Sequence, residues 1–343
     1  MSVSLKANIL EHPSIHEELT IGVVGAGQIA ADTHIPSMLL LAGAKLTWIV
    51  DSDDKRARRV AKSFGVPHAR MPSDLAELPK ADVVLLAVPY GVRAPYYAAF
   101  SRSGTAVYVE KPFARTAEQH EKQCALYRPE RLGVGFQKRC SAATRTMEDI
   151  IETGAFGSLR EVSVELGRPG VSTAGRYSAD LSLAGGGFLF EVGVHLIDFV
   201  LYVSHALDVE VTSGEMLLDR GFDIHTDAIA RMTMKGGKRS EFKLLITNLR
   251  HTSMEVTFEF DSAIVRVNPF GDRRIRVRAR RGTTEYELGG EATEYPLTPP
   301  QTFYEHWSLF LDGVRTGRPN LTSASQSRLT TALVEQLYRL AGV

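Results

Sequence analysis

The pattern of apolar and polar positions divides the chain in two. "LTIGVV" (19–24) is an apolar run built on Ile21, Val23 and Val24 that ends in glycines. Helix-compatible sequence follows to about Leu41, then "AKLTWIV" (44–50), "ADVVLLAVP" (81–89) and "AVYVEKP" (106–112). The last two are almost free of polar positions, as strands of a parallel sheet covered on both faces must be. Residues 91–103 read as helix between them. Alternating strands and helices predict a doubly wound α/β sheet.

From about residue 158 the period changes. "SLREVSVELGR", "DVEVTSGEMLL", "DAIARMTMK", "RSEFKLLITNL", "SMEVTFEF", "AIVRVNP" and "RRIRVRARR" follow one another without helices between them. Such a series pairs mostly antiparallel. The change marks a second domain, giving a first domain over 19–138, a second over 139–343, and an extension over 1–18. Residues 303–315 and 323–341 read as helices, with Phe303, Trp307, Phe310 and Leu311 expected in the core.

The glycines after the first strand carry chemistry. Gly25-Ala26-Gly27-Gln28-Ile29-Ala30 is G-x-G-x-x-A between a strand and a helix. That context lets backbone approach a pyrophosphate at a helix N-terminus. The second strand ends at Asp51, 24 residues past Gly27, where a ribose 2′-hydroxyl needs an acceptor. Read this way, Asp51 favours NAD over NADP, with Arg56 and Arg58 as nearby cations that oppose the preference; read otherwise, Asp51 is a turn residue. Pro89-Tyr90 and Glu110-Lys111-Pro112 lie at the carboxyl ends of later strands, where ligands of such sheets bind. Lys111 precedes a proline, so its bond is a candidate for the cis form. There it either orients a substrate hydroxyl or is a surface lysine in a turn.

Bulk composition narrows the classes. The chain has 343 residues, 44% hydrophobic and 23% charged, with 40 basic and 40 acidic side chains. No global field draws it to nucleic acid or to a membrane surface. Cys124 and Cys140 make no disulfide framework, in keeping with a cytoplasmic protein. The first 18 residues carry charges throughout and read as neither signal peptide nor membrane span.

One stretch is unusual. In "GGGFLFEVGVHLIDF" (185–199), Glu191, His195 and Asp198 recur at intervals of four and three, near one face of a helix. A lone histidine in an apolar helix is usually a satisfied core residue. A metal site from these three is chemically conceivable, but the expectation is that no metal binds.

"GAGQIA", "VEKP" and "GGGFLFEVGVHLID", with 131–166 and 303–326, together resemble the Gfo/Idh/MocA oxidoreductases, which include glucose–fructose oxidoreductase and inositol dehydrogenases. The resemblance implies an N-terminal Rossmann domain, a C-terminal α/β domain on an open, mostly antiparallel sheet, and a nicotinamide cofactor between them. It implies substrates that are sugars, amino sugars, nucleotide sugars or cyclitols. The family's E-K-P lysine falls on Lys111 and its acid and histidine on Glu191 and His195. On that basis His195 is the general base, Lys111 polarises the hydroxyl, and Glu191 binds a second hydroxyl or an amino group. An amino sugar would fit aminoglycoside or other sugar-antibiotic chemistry. The sequence departs in having Glu191 in place of aspartate, and "PYGVR" (89–93) in place of P-N-x-x-H.

Gln137 and Arg139 after "LGVGF", and Arg168, Arg176 and Tyr177 in the long loop 167–187, are further candidate substrate ligands. The arginines of "RRIRVRARR" (273–281) fit a solvated sheet face or an oligomer interface better than a nucleic-acid patch. The family's use of that sheet implies a homodimer or homotetramer. Two other functions fit the same fold: a non-catalytic NAD-binding regulator, and a glycosidase that reduces and regenerates NAD in each cycle.

Overall fold

A computed structural model of the chain describes residues 18–170, 179–270, 275–288 and 301–343. Two sheets organise them. The first has five strands in the order β2-β1-β3-β4-β5: β1 Leu19–Val24, β2 Ala44–Val50, β3 Val83–Leu86, β4 Ala106–Val109 and β5 Leu132–Val134. Every pairing is parallel. All residues of β3 and β4 are buried, as their unbroken apolar runs require. The chain steps outward from β1 to β2, then returns to the other side of β1 with β3. That reversal opens a crevice at the carboxyl ends of β1 and β3, the position where doubly wound sheets bind ligands.

The second sheet has eight strands in the order β13-β12-β11-β10-β6-β9-β8-β7. They are β6 Leu159–Gly167, β7 Ala206–Asp219, β8 Phe222–Met234, β9 Arg239–Thr247, β10 Val256–Phe260, β11 Ala263–Val267, β12 Ile275–Ala279 and β13 Glu285–Leu288. Only β6 and β9 run parallel; the other pairings are antiparallel. Burial alternates along β9, β10 and β11, so one face is dry and the other wet. On the wet face Arg276 and Arg280 of the arginine-rich strand pair with Glu255 and Glu259, and Arg266 pairs with Glu285. Cross-strand glutamates thus answer these arginines, and the stripe is a charge-paired sheet face.

The helix Val194–Val203 lies on the dry face, with nine of its ten residues buried and Phe199 meeting Phe258 edge to face. The stretch Leu181–Val203 is long and apolar enough to cross a membrane, yet 78% of its most apolar window is buried inside this molecule. Such burial is that of a core helix.

The penultimate α-helix, Gln301–Thr316, crosses back to the first sheet. Trp307, Phe310 and Leu311 join Ile21, Val23, Leu85 and Tyr108 in one apolar cluster. The aromatic residues expected in the core are there. The helix they sit on belongs by sequence to the second half and by packing to the first sheet.

Candidate active site

The crevice at the end of β1 is shaped by two glycines with different reasons for being glycine. Gly25 has φ +98°, and a Cβ on it would meet the Ala87 carbonyl oxygen at 2.3 Å. A Cβ on Gly27 would meet nothing within 4 Å. Gly25 therefore lets the loop pack on the end of β3, while Gly27 leaves open space on the outer side of the loop. Gln28 and Ile29 are exposed there, ahead of a wide π-type turn at Ala30–His34. Open backbone beside a strand end fits a pyrophosphate.

Asp51 sits at the far side of this loop, buried. One oxygen accepts from the Ala26 amide at 2.7 Å and the other from the Asp53 amide at 2.8 Å. Arg56 closes on both oxygens, Nε at 3.1 Å and Nη2 at 2.6 Å. Burial works against the charge of Asp51, but these bonds outweigh it and hold the carboxyl below its ordinary range. Asp51 is thus a fixed part of the glycine loop, and Arg56 covers the oxygens that a ribose would approach.

Farther along the carboxyl edge, Arg93 is buried where the resembling family has histidine. Its Nη1 donates to the carbonyls of Glu110 and Pro112 at 2.5 and 2.6 Å, and its Nε to that of Val88 at 2.9 Å. It ties the ends of β3 and β4 together around Lys111, whose bond to Pro112 is cis as expected. Glu110 does not face the crevice. The Nε1–H of Trp307 donates to His34 Nδ1 at 2.9 Å, so His34 presents Nε2–H to Glu110 Oε1 at 2.8 Å. Burial opposes the charge of Glu110, yet the bond from His34 and the nearby charges of Lys111 and Arg93 hold its carboxyl below its ordinary range. Its role is structural, fixing the residue before Lys111 through His34 to Trp307 of helix Gln301–Thr316.

The second domain supplies the other wall. Pro89 begins a tight turn over Tyr90–Val92, and Tyr90 packs edge to face on Phe190 while donating to Gln119 at 2.6 Å. A Cβ on Gly91 would meet the Ser182 carbonyl oxygen at 1.8 Å, and one on Gly185 would meet the Tyr90 ring at 2.4 Å. Asp223 of β8 accepts from the Gly187 amide at 2.6 Å and from the Leu189 amide, and Tyr338 donates to it. This buried carboxylate satisfies the open amides at the start of the glycine-led helix. Nothing in its sequence surroundings singled it out.

The helix then departs from the expected periodicity. Leu189–Gly193 forms a second π-type turn before α-geometry resumes at Val194. Turns of this kind often mark functional sites. The three ionisable groups do not form one stripe. Glu191 presents its backbone carbonyl to Lys111, which donates from Nζ at 2.6 Å. His195 stands between the rings of Phe136 and Phe270, 6.2 and 5.9 Å between centroids, and its buried Nδ1 has no hydrogen-bond partner. Asp198 turns away to a buried, bidentate pair with Arg139, at 2.8 and 2.6 Å.

That pair removes Arg139 from the candidate substrate ligands. Its Nη1 donates to the Leu321 carbonyl and its Nη2 also to that of Gln326, so the guanidinium is held by protein on every side that bonds. Gln137 is buried with its Oε1 unpaired. Lys138 between them, which sequence reasoning passed over, is half-buried with its ammonium 5.3 Å over Phe270. Three polar residues follow the strand, and the tight turn Gln137–Cys140 gives each different surroundings. Arg168 is exposed at the end of β6. Arg176 and Tyr177 lie outside the described residues.

The electrostatics connect the two walls. Burial, reinforced by the charge of Arg93, pulls Lys111 below the ordinary lysine range against the opposing pull of Glu110 and Glu191. Burial together with the charges of Lys111 and Lys138 puts His195 far below the ordinary histidine range. The imidazole expected to be the general base is thus desolvated and lies in the fields of two ammonium groups. Among the described residues no group of three His, Cys, Asp or Glu side chains is arranged to hold a metal ion.

A family model described as "Oxidoreductase family, NAD-binding Rossmann fold" matches residues 19–136, and one described as "GFO/IDH/MocA C-terminal domain" matches 144–283. The chain is 28% identical over 187 residues to a dTDP-3,4-didehydro-2,6-dideoxy-alpha-D-glucose 3-reductase from Streptomyces antibioticus, covering 54% of this chain and 56% of that one. It is 27% identical over 191 residues to a D-glucoside 3-dehydrogenase from Escherichia coli K12, covering 54% of each. In these matches the chain spans about half the length of the curated relatives. The fold is similar to that of KijD10, a 3-ketoreductase from Actinomadura kijaniata in complex with NADP and TDP-benzene, with TM-score 0.79, 19% identity, and coverage of 94% of this chain and 98% of that one.

Proposed function

Because the chain belongs to the Gfo/Idh/MocA oxidoreductases, we propose that it interconverts a secondary alcohol and a ketone on a sugar or cyclitol with a nicotinamide cofactor. The observation that carries this reading is the meeting of Lys111, from the first sheet, with the Glu191–His195 turn of the second domain at the crevice edge. Gly25, Gly27, Gln28, Ile29, Asp51 and Arg56 are the residues that would hold the adenosine half, with Pro89 and Tyr90 near the other. When bound, the nicotinamide supplies the hydride acceptor or donor.

The chain's own residues handle the proton. Lys111 is the better matched proton-transfer group, because burial brings an ammonium down toward physiological pH. Burial and the two ammonium charges favour the neutral imidazole of His195, which acts as a hydrogen-bond partner of the reacting oxygen. This reverses the division of labour expected from the sequence. The carbonyl of Glu191 holds the Lys111 ammonium in place. The apolar rings of Phe136 and Phe270 limit water around His195. NAD is the proposed cofactor, with Arg56 swinging off the Asp51 oxygens so that they accept from the ribose; where Arg56 stays over them, it is the cation that would pair with the 2′-phosphate of NADP.

The test is reduced-cofactor absorbance with NAD and then NADP across cyclitols, aldoses, amino sugars and nucleotide sugars, run in both directions. Sustained turnover lost in Lys111→Met, with cofactor binding retained, supports the reading. Tight cofactor binding, no turnover on any compound, and no effect of Lys111→Met on ligand binding overturn it in favour of a regulator.

A further inference from the structure

We propose that Lys138 recognises an anionic oxygen group, a carboxylate or a phosphate, on the sugar substrate. This deepens the oxidoreductase reading and rests on it. Three cations cluster around the His195 helix. Arg139 is paired with Asp198 at 2.6 Å. Lys111 lies in the fields of Glu110 and Glu191. Lys138, among the described residues, has no carboxylate partner; its ammonium stands 5.3 Å over the Phe270 ring.

Phe270 in turn meets His195 edge to face at 5.9 Å, and the charge of Lys138 reaches the imidazole. The ammonium therefore stands on the same aromatic wall as the ring assigned to the reacting oxygen. An aromatic face compensates a desolvated ammonium only in part. Burial alone pulls Lys138 below the ordinary lysine range, with no carboxylate opposing it. An anion on the substrate would supply the counter-charge through a charge-assisted hydrogen bond. In the preceding residue, the buried Oε1 of Gln137 has no hydrogen-bond partner and would answer a sugar hydroxyl. The same arrangement disfavours an amino sugar: its ammonium would meet two lysines, and Glu191 already lies in the field of one of them.

Calorimetric binding to the cofactor-loaded protein tests this with three sugars of one ring type: glucose, glucuronate and glucose 1-phosphate. Turnover is followed in parallel by cofactor absorbance, for the parent, Lys138→Gln and Lys138→Arg. One acid is expected to bind at least tenfold more tightly than glucose. The margin should vanish in Lys138→Gln and persist in Lys138→Arg, with cofactor affinity the same in all three. Which acid shows the margin identifies carboxylate or phosphate as the source. No margin in the parent, or a margin that survives Lys138→Gln, overturns the proposal. Turnover of neutral sugars without an anion margin sinks Lys138 alone. A margin that collapses as expected, with no turnover of any sugar in the wider panel, leaves the anion site standing and sinks the oxidoreductase reading.

Discussion

The Lys111 ammonium donates to the backbone carbonyl of Glu191 at 2.6 Å, across the seam between the two sheets. The lysine is thereby aimed by main chain, leaving the Glu191 carboxylate to act through its field. Replacing Lys111 with methionine should lower kcat by at least about a hundredfold, the range of general acid–base groups, while fluorescence titration shows cofactor binding little changed. Replacing Glu191 with glutamine should cost less, since the carbonyl stays.

The pH profile follows from the lowered lysine. A proton acceptor must be deprotonated to work, so alcohol oxidation should rise with pH through the Lys111 pKa and then level off. The limb should fall below the ordinary lysine range near 10.5. Plots of kcat/KM against pH for the parent and for Lys111→Met test this. A limb that persists unchanged in the variant assigns the proton to another group.

Arg93 should matter beyond its charge. It joins the carbonyls of Val88, Glu110 and Pro112 around the lysine. Arg93→Gln should cost roughly 2–4 kcal/mol, because buried carbonyls lose a charged donor. Arg93→Lys should recover part of the stability in urea titrations and part of kcat. Equal loss in both variants argues that the planar fork itself is required.

Gly27 separates folding from cofactor binding. With nothing within 4 Å of an added Cβ, Gly27→Val should keep the melting temperature within a few degrees yet weaken cofactor binding more than tenfold. Gly25→Ala should instead destabilise the protein, from positive φ and contact with the Ala87 carbonyl. At the other end of the site, Arg56→Ala should weaken NADP more than NAD, read from the two dissociation constants.

Acid should unfold the protein through a buried histidine that plays no part in the proposed chemistry. Burial pushes His120 down to about 4. The unfolded chain then takes up a proton near pH 6.5 that the folded one refuses until about 4. Stability is full above pH 6.5 and falls as pH drops across that window, by about 3 kcal/mol for this residue. His120→Gln should flatten the melting-temperature profile between pH 6.5 and 4. An unchanged slope assigns the acid sensitivity elsewhere.

The sequence by itself determined the two architectures and the cofactor end of the crevice. Unbroken apolar strands dictate burial on both faces, alternating ones dictate burial on one, and both signals are local in the chain. The positions of the glycine loop, Asp51, Lys111 and His195 at strand ends and after a glycine hinge are local in the chain for the same reason, and they became the candidates proposed for the site. What only tertiary structure decided was which polar groups answer one another. Arg139 and Asp198 are 59 residues apart, and Glu110 meets His34 across 76. Asp223 caps a helix from a neighbouring strand, and Trp307 reaches the first sheet from the second half. The basicity of His195 was hidden too, because desolvation and the fields of Lys111 and Lys138 exist only once the helix is packed. Periodicity reports which face of an element is buried; the partner against which it is buried is set by packing across the whole chain.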